Sequence, residues 1–224
     1  MSGYDTLVSR GVTRLCHFTK LQKLCDIICS EQGILATSAI TFDTKDVTDS
    51  KRLDGKIDYV CCSVQYPNSW YLMKAENNDR DPIFKEWVII FIDPAVLLYR
   101  NAKFSPCNAA TANGAYVINN IDEVDSIFSK FVPAWQYARS PLMPPFCPTN
   151  GQAEILIQGN IPRNLIFGIG VSDEALAKRV YALLKTEGQT QTRIIISKEL
   201  FSKEWSSMVR KGYVPQEIEY NTFS

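Results

Sequence analysis

The chain has one histidine, His17, no CxxC pair and no surplus of charge of either sign. Each absence excludes something. A zinc site built from the usual His and Cys ligands has a single imidazole to draw on, so no metal is expected. Lys+Arg and Asp+Glu both number 24, which argues against bulk electrostatic binding to duplex DNA or a membrane surface while leaving a local basic groove open. No apolar run approaches the roughly 20 residues that span a bilayer, and the first residues lack a signal-peptide core. There is no internal repeat and no P-loop. Gly168-Ile169-Gly170 lacks the third glycine of a dinucleotide fingerprint and lies inside a strand pattern. The expectation is a soluble, cytoplasmic protein without a membrane partner.

What is present suits one domain over residues 1–224, long enough to bury a real core. The seven cysteines are an odd set, and Cys16, Cys25, Cys29, Cys61 and Cys62 read as reduced thiols in apolar surroundings. Cys25 and Cys29 share a helix face, which permits a metal pair in principle, but with a single His in the chain the usual ligand set is missing.

Along the chain, Val12 to Thr19 alternates as a first strand, and Thr19 is placed to cap a helix from Lys20 to Glu31 that Gly33 closes. Strands follow at Ile57–Gln65, Glu86–Ile92 and around Lys103-Phe104-Ser105, with Ser69 opening a short helix between the first two. Ile121 to Phe131 reads as an amphipathic helix. Residues 133–150 contain five prolines together with Trp135, Tyr137 and Phe146. That composition continues neither helix nor central strand, and so long a loop in a compact domain suggests a functional one. Strands at 151–158, Asn164–Val171 and Gln191–Ser197 alternate with helices from Ser172 to Gly188 and from Glu199 to Lys211. The mixture has no regular β-α-β order, so the class is α+β.

Three polar residues stand where structure alone does not ask for them. Glu154, in Gly151-Gln152-Ala153-Glu154-Ile155-Leu156-Ile157, is a carboxylate among short apolar residues, directly after the proline-rich loop. Placed at a strand edge it would cost desolvation energy unless bound, but from the pattern alone the solvated polar face of a half-exposed strand is the plainer reading. His17 ends the first strand, where a hydrogen-bonded core histidine is the plainer reading. Arg52 precedes the second strand, where a solvated arginine would do. Together they admit a single-carboxylate site with imidazole and cationic helpers, suited to an oxocarbenium-like transition state.

Leu15-Cys16-His17-Phe18-Thr19 with the helix after it and Gly33-Ile34-Leu35, then Arg52 ahead of Asp58-Tyr59-Val60, then Gln152 to Ile157 followed by Ile161-Pro162, resembles the DarT family of DNA ADP-ribosyltransferase toxins. The resemblance runs over most of residues 12–170. It implies an ADP-ribosyltransferase-like fold, a split pair of small antiparallel sheets flanked by helices with NAD in the cleft between them. It also implies transfer of ADP-ribose from NAD to a base of single-stranded DNA, and a cognate antitoxin, of macrodomain type or similar, that removes the mark. By the same resemblance Glu154 and Arg52 are catalytic. His17, Phe18, Thr19, Gly33, Leu35 and Arg52 hold NAD, with Arg52 on the pyrophosphate or on the target base. Trp135, Tyr137, Arg139 and Gln152 meet the nucleic acid. The segment Tyr59 to Tyr71, with Gln65-Tyr66-Pro67-Asn68, differs from thymine-modifying members, so guanine and thymine both stand as target bases. A protein, RNA or water acceptor, or a binding module without turnover, are the alternatives.

Overall fold

The computed structural model describes residues 1–40, 53–79, 81, 83, 85–132 and 137–221. One eight-stranded sheet organises them, in the order β10-β9-β8-β3-β1-β2-β7-β4. Its members are β1 (Leu15–Lys20), β2 (Tyr59–Val64), β3 (Trp87–Ile92), β4 (Ala102–Ser105), β7 (Glu154–Gln158), β8 (Ile166–Val171), β9 (Arg193–Ile196) and β10 (Ile218–Glu219). Every pairing is antiparallel except β8 with β9. β5 (Phe131–Val132) and β6 (Tyr137–Ala138) form a small separate ribbon.

The sheet is continuous yet nearly divided. β1 pairs with β3 over six residues, but with β2 only at Leu15–Val64 and Cys16–Ser63. Beyond Cys16 the two strands part, leaving five strands on one side and β2, β7 and β4 on the other. The expected split pair is thus a single sheet opened along one seam, with the opening as the cleft.

Apolar runs explain the interior. All six residues of β3 are buried, because the sheet is covered on both faces at that strand. Gly168 and Gly170 of β8 face the Phe91 ring, leaving room for it. On one face lies the main core, including Leu24, Ile28, Ile90, Phe104 and Ile155. On the other, Trp205, Tyr66, Phe91 and Cys147 form a second cluster. Arg14 crosses that second cluster. Its guanidinium lies 4.2 Å from the Phe91 ring centroid and makes a bidentate ion pair with Glu217, which ties the C-terminal segment to the start of β1.

Several expected boundaries move, each for a local reason. The first helix, α1 (Gly3–Ser9), has a complete Ser2/Asp5 capping box that the apolar pattern does not reveal. α2 (Leu21–Cys29) starts after Lys20, not Thr19, and has no side-chain cap. α3 (Ser69–Asn78) and α5 (Glu174–Thr186) are capped by Asn68 and Asp173, one residue beside the serines expected there. α4 (Val96–Tyr99) is a single turn. Residues 121–128 form a 3-10 helix instead of an α-helix reaching Phe131, which is exposed on β5. The last expected helix breaks into a 3-10 turn at Glu199–Phe201 and α6 (Glu204–Arg210).

Gly33 is required by a close approach. It adopts φ +63°, and a Cβ there would stand 2.2 Å from the Ile161 carbonyl oxygen, where Ile34 and Ile161 exchange backbone hydrogen bonds. Gly33→Ala is therefore expected to lower unfolding free energy by about 1–3 kcal/mol in urea denaturation, since both φ and contact are violated. A loss below about 0.5 kcal/mol would show that the junction yields easily.

Candidate active site

The seam between β1 and β2 opens into a cleft of about 420 Å³. Its size falls within the range of small-molecule sites. One wall is β1, through His17, Phe18 and Thr19, with Lys23, Asp26 and Ile27 of α2 above it. The other is β2, through Tyr59 to Cys61 and Ser63. Glu154 of β7, Asn68 at the cap of α3, Tyr71 of α3 and the loop Asn108–Ala110 close its inner end.

His17 spans the seam. Its Nδ1 lies 3.0 Å from the Cys61 carbonyl oxygen. A carbonyl only accepts, so Nδ1 carries the proton and the ring is oriented by the opposite wall. Phe18 packs against Tyr71 and Trp87, each with ring centroids 5.9 Å away, making an aromatic flank.

Glu154 is not at a sheet edge. β7 lies between β2 and β4, and Glu154 sits in register with Ser63 on one side and Ser105 on the other. It is 8 % exposed. A buried carboxylate needs donors, and it has them. The Ala109 N–H donates to Oε2 at 2.8 Å, and the amides of Asn68 and Asn108 both approach Oε1 at 3.4 Å. Asn68 is held in turn: its backbone N–H donates to Ser63 Oγ at 2.9 Å, and its side-chain oxygen caps α3 by accepting from the Tyr71 N–H.

The thiols around this carboxylate stay protonated. Burial pushes Cys62 well above the usual thiol range, with Cys16 and the charge of Glu154 adding to it. Burial raises Cys107 too; hydrogen bonds from Ser105 and Thr111 oppose the shift, and the Glu154 charge reinforces it. Burial likewise pushes Cys16 up to about 12. Neutral thiols are poor nucleophiles, so Glu154 is the charged group among these side chains.

The approach to Glu154 is tightly packed. Gly151 passes between Trp205 and Trp70, where a Cβ would stand 2.8 Å from the Trp205 ring. Arg139 donates to the carbonyls of Cys147 and Pro144 at 2.6 and 2.7 Å, and burial lowers its pKa from the ordinary value. Its guanidinium thus clamps residues 144–149 into shape and is turned onto the loop itself.

The structure brings together His17, Phe18, Thr19, Leu35 and Glu154, all lining the cleft. Gly33 is not among the lining residues; it serves the Ile161 junction described above. Arg52 and Trp135 lie outside the described residues, and Tyr137 is placed by its backbone on β6. Gln152 is half-buried and hydrogen-bonds through its N–H to the Asn150 side chain, away from the cleft lining. Sequence reasoning missed Asn68, Tyr71, Asn108 and Asp54. Asn68 directly follows Pro67 and could have been found as a helix cap; Asn108 carries no local signal.

A family model described as "ssDNA thymidine ADP-ribosyltransferase, DarT" matches residues 16–202. Among solved structures, Thermus sp. 2.9 DarT in complex with ADP-ribosylated ssDNA superposes with a TM-score of 0.60 at 16 % identity, covering 86 % of this chain and 97 % of that one. The same protein in complex with NAD+ gives 0.59 at 16 %, with 85 % and 98 % covered. Thermosipho africanus DarTG in complex with ADP-ribose gives 0.54 at 17 %, with 84 % and 51 % covered. At such identities the likeness carries the fold. A search of curated proteins finds no match.

Because Asn68 both caps α3 and faces Glu154, Asn68→Ala is expected to cost about 1–2 kcal/mol in urea denaturation. Asn108→Ala, which removes only the loop amide, is expected to cost less than Asn68→Ala. Equal losses would mean that the cap contributes nothing.

Proposed function

The chain belongs to the DarT family of ssDNA ADP-ribosyltransferases, and we propose that it transfers ADP-ribose from NAD to guanine or thymine of single-stranded DNA, releasing nicotinamide. The observation that carries this reading is Glu154, buried at the inner end of the cleft and held by the Ala109 N–H, with His17 anchored across the seam. An oxocarbenium-like ribose needs one fixed negative charge beside it and water kept out, and this end of the cleft supplies both.

The residues take the following roles. Glu154 accepts a hydrogen bond from a hydroxyl of the nicotinamide-side ribose. As the C–N bond to nicotinamide breaks and the bonding pair leaves with it, the carboxylate opposes the positive charge on the ring. The target base nitrogen then bonds to the anomeric carbon. Its proton passes to Glu154 or its hydrogen-bonded network and on to solvent. His17, Phe18, Thr19 and Leu35 hold NAD, with the Phe18–Tyr71 flank against the nicotinamide ring. Arg52, two residues before the cleft-lining Asp54, contacts the pyrophosphate or the target base through its planar, permanently charged fork.

The segment 133–150 with Gln152 receives the nucleic acid, Trp135 and Tyr137 by stacking. Arg139 acts there by shaping the loop. A base stacked in a duplex is out of reach of a buried carboxylate, which favours single-stranded substrate. The segment Tyr59 to Tyr71, which departs from thymine-modifying members, reaches Glu154 through Asn68, which supports its bearing on the choice of base. We also propose a toxin role in the cytoplasm, neutralised by an antitoxin that removes ADP-ribose. The name of the Thermosipho africanus DarTG neighbour supports such a pairing.

Incubation with NAD and mixed single-stranded oligonucleotides is expected to add one ADP-ribose mass to DNA, and nucleoside digestion then identifies the base. Glu154→Ala should lower the rate by about 10²–10⁴-fold. Nicotinamide released equally fast without DNA would move the acceptor to water, and a variant as active as the parent would remove Glu154 from the mechanism. His17→Ala should raise the KM for NAD about tenfold, the loss of a hydrogen bond to a polar ligand group.

A further inference from the structure

Cys25 and Cys29 are not core thiols. Cys25 is half-exposed and Cys29 exposed, while Cys16, Cys62, Cys107 and Cys147 are buried. The two sulfurs lie 3.5 Å apart, one turn from each other on α2. Glu187, the residue that ends α5, meets them from 158 positions along the chain, with Oε2 at 3.1 Å from Cys29 Sγ. The three ligand atoms fall within 4.8 Å of one another.

These spacings match a coordination polyhedron. Two thiolates bound at about 2.3 Å to a tetrahedral zinc stand about 3.7 Å apart, and a thiolate and a carboxylate oxygen about 3.5 Å apart. The sulfur–sulfur edge and the Cys29–Glu187 edge are both slightly shorter, the second because a thiol proton sits between Cys29 and Glu187. Two soft thiolates with one carboxylate suit a borderline-soft, tetrahedral cation and leave a fourth position facing water. Such a centre, with two thiolates and one carboxylate on a divalent cation, carries one net negative charge. Arg163 lies close enough to Cys29 for their charges to interact, and it is fixed there by hydrogen bonds to the Ile28 and Ile166 carbonyls. Its charge offsets that of the centre.

We propose that Cys25, Cys29 and Glu187 form a surface site for a thiophilic divalent cation of the zinc class. The site lies apart from the cleft: α2 gives Lys23, Asp26 and Ile27 to the cleft and the two cysteines to another face. Binding would release the thiol protons and fasten the end of α2 to the end of α5, so its effect is read as metal affinity and stability.

The test is a titration of the full chain with Co2+, its thiols kept reduced. Expected is a thiolate-to-cobalt charge-transfer band saturating at about one metal per chain and bleached by Zn2+. The Cys25→Ser/Cys29→Ser double variant should lose the band while keeping its circular dichroism, and Zn2+ should raise Tm only in the parent. Glu187→Gln should keep the band but weaken cobalt binding by roughly tenfold or more. No band at equimolar Co2+, a band retained in the double variant, or parent-like affinity in Glu187→Gln would each overturn the site. None of these readouts depends on transfer activity.

Discussion

The parting of β1 and β2 after two paired residues is the constraint on which the site depends. A sheet that paired along its full length would have no room between these strands. A sheet fully severed there would leave the two halves without a fixed relation. Two residue pairs at one end and the His17–Cys61 hydrogen bond farther along hold the halves at a set spacing. Each half is itself stiff, since β1 is laddered to β3 over six residues and β2 to β7 over five. The walls are therefore rigid ladders, which favours a preorganised site.

Glu154 follows from the same arrangement. β7 is internal, so both neighbours of Glu154 are strand residues, and its side chain is committed to the closed end of the cleft. A fully buried Ile or Leu stabilises the fold by about 1.5–3 kcal/mol, whereas an uncompensated buried carboxylate costs several kcal/mol. Ile155 and Ile157 on the same strand can offset such a cost only if the carboxylate is also solvated by protein. The Ala109 N–H and the Asn68 and Asn108 amides provide that solvation, from a loop and a helix cap with no other shared feature. Burial keeps Cys62 and Cys107 protonated, so neither adds a negative charge beside the carboxylate.

Strands that are buried runs were legible from residues alone: Trp87–Ile92, Ile166–Val171 and Glu154–Gln158 lie where their apolar patterns put them. So were His17 and Glu154 as polar residues needing an explanation. Helix type at 121–128 was not, because periods of 3.0 and 3.6 both keep Val124 and Ile127 on one side over so short a span. Caps were off by one where Ser adjoins a better-placed Asn or Asp. The partners of Glu154 were hidden for a different reason. Asn68 and Asn108 stand 86 and 46 positions away, and no periodicity encodes a contact across that distance. The same holds for Cys25, Cys29 and Glu187, where the helix face was visible and the third ligand was not. Arg139 shows the converse: a cation in an aromatic, proline-rich loop suggests phosphate, yet its donors are consumed by the carbonyls that the prolines leave without helical or strand partners.

Charge completes the logic of a neutral chain acting on a polyanion. The described residues lining the cleft include one cation, Lys23, against Asp26, Asp54 and Glu154. Those carboxylates suit a ribose that becomes positive, and the proposed function leaves the phosphates of NAD or the base to Arg52. The proposed function asks only a base, uncharged and flat, to enter such a lining. Zero net charge is consistent with this, since affinity for a single base in a short site does not require the counterion release that long-tract binding exploits.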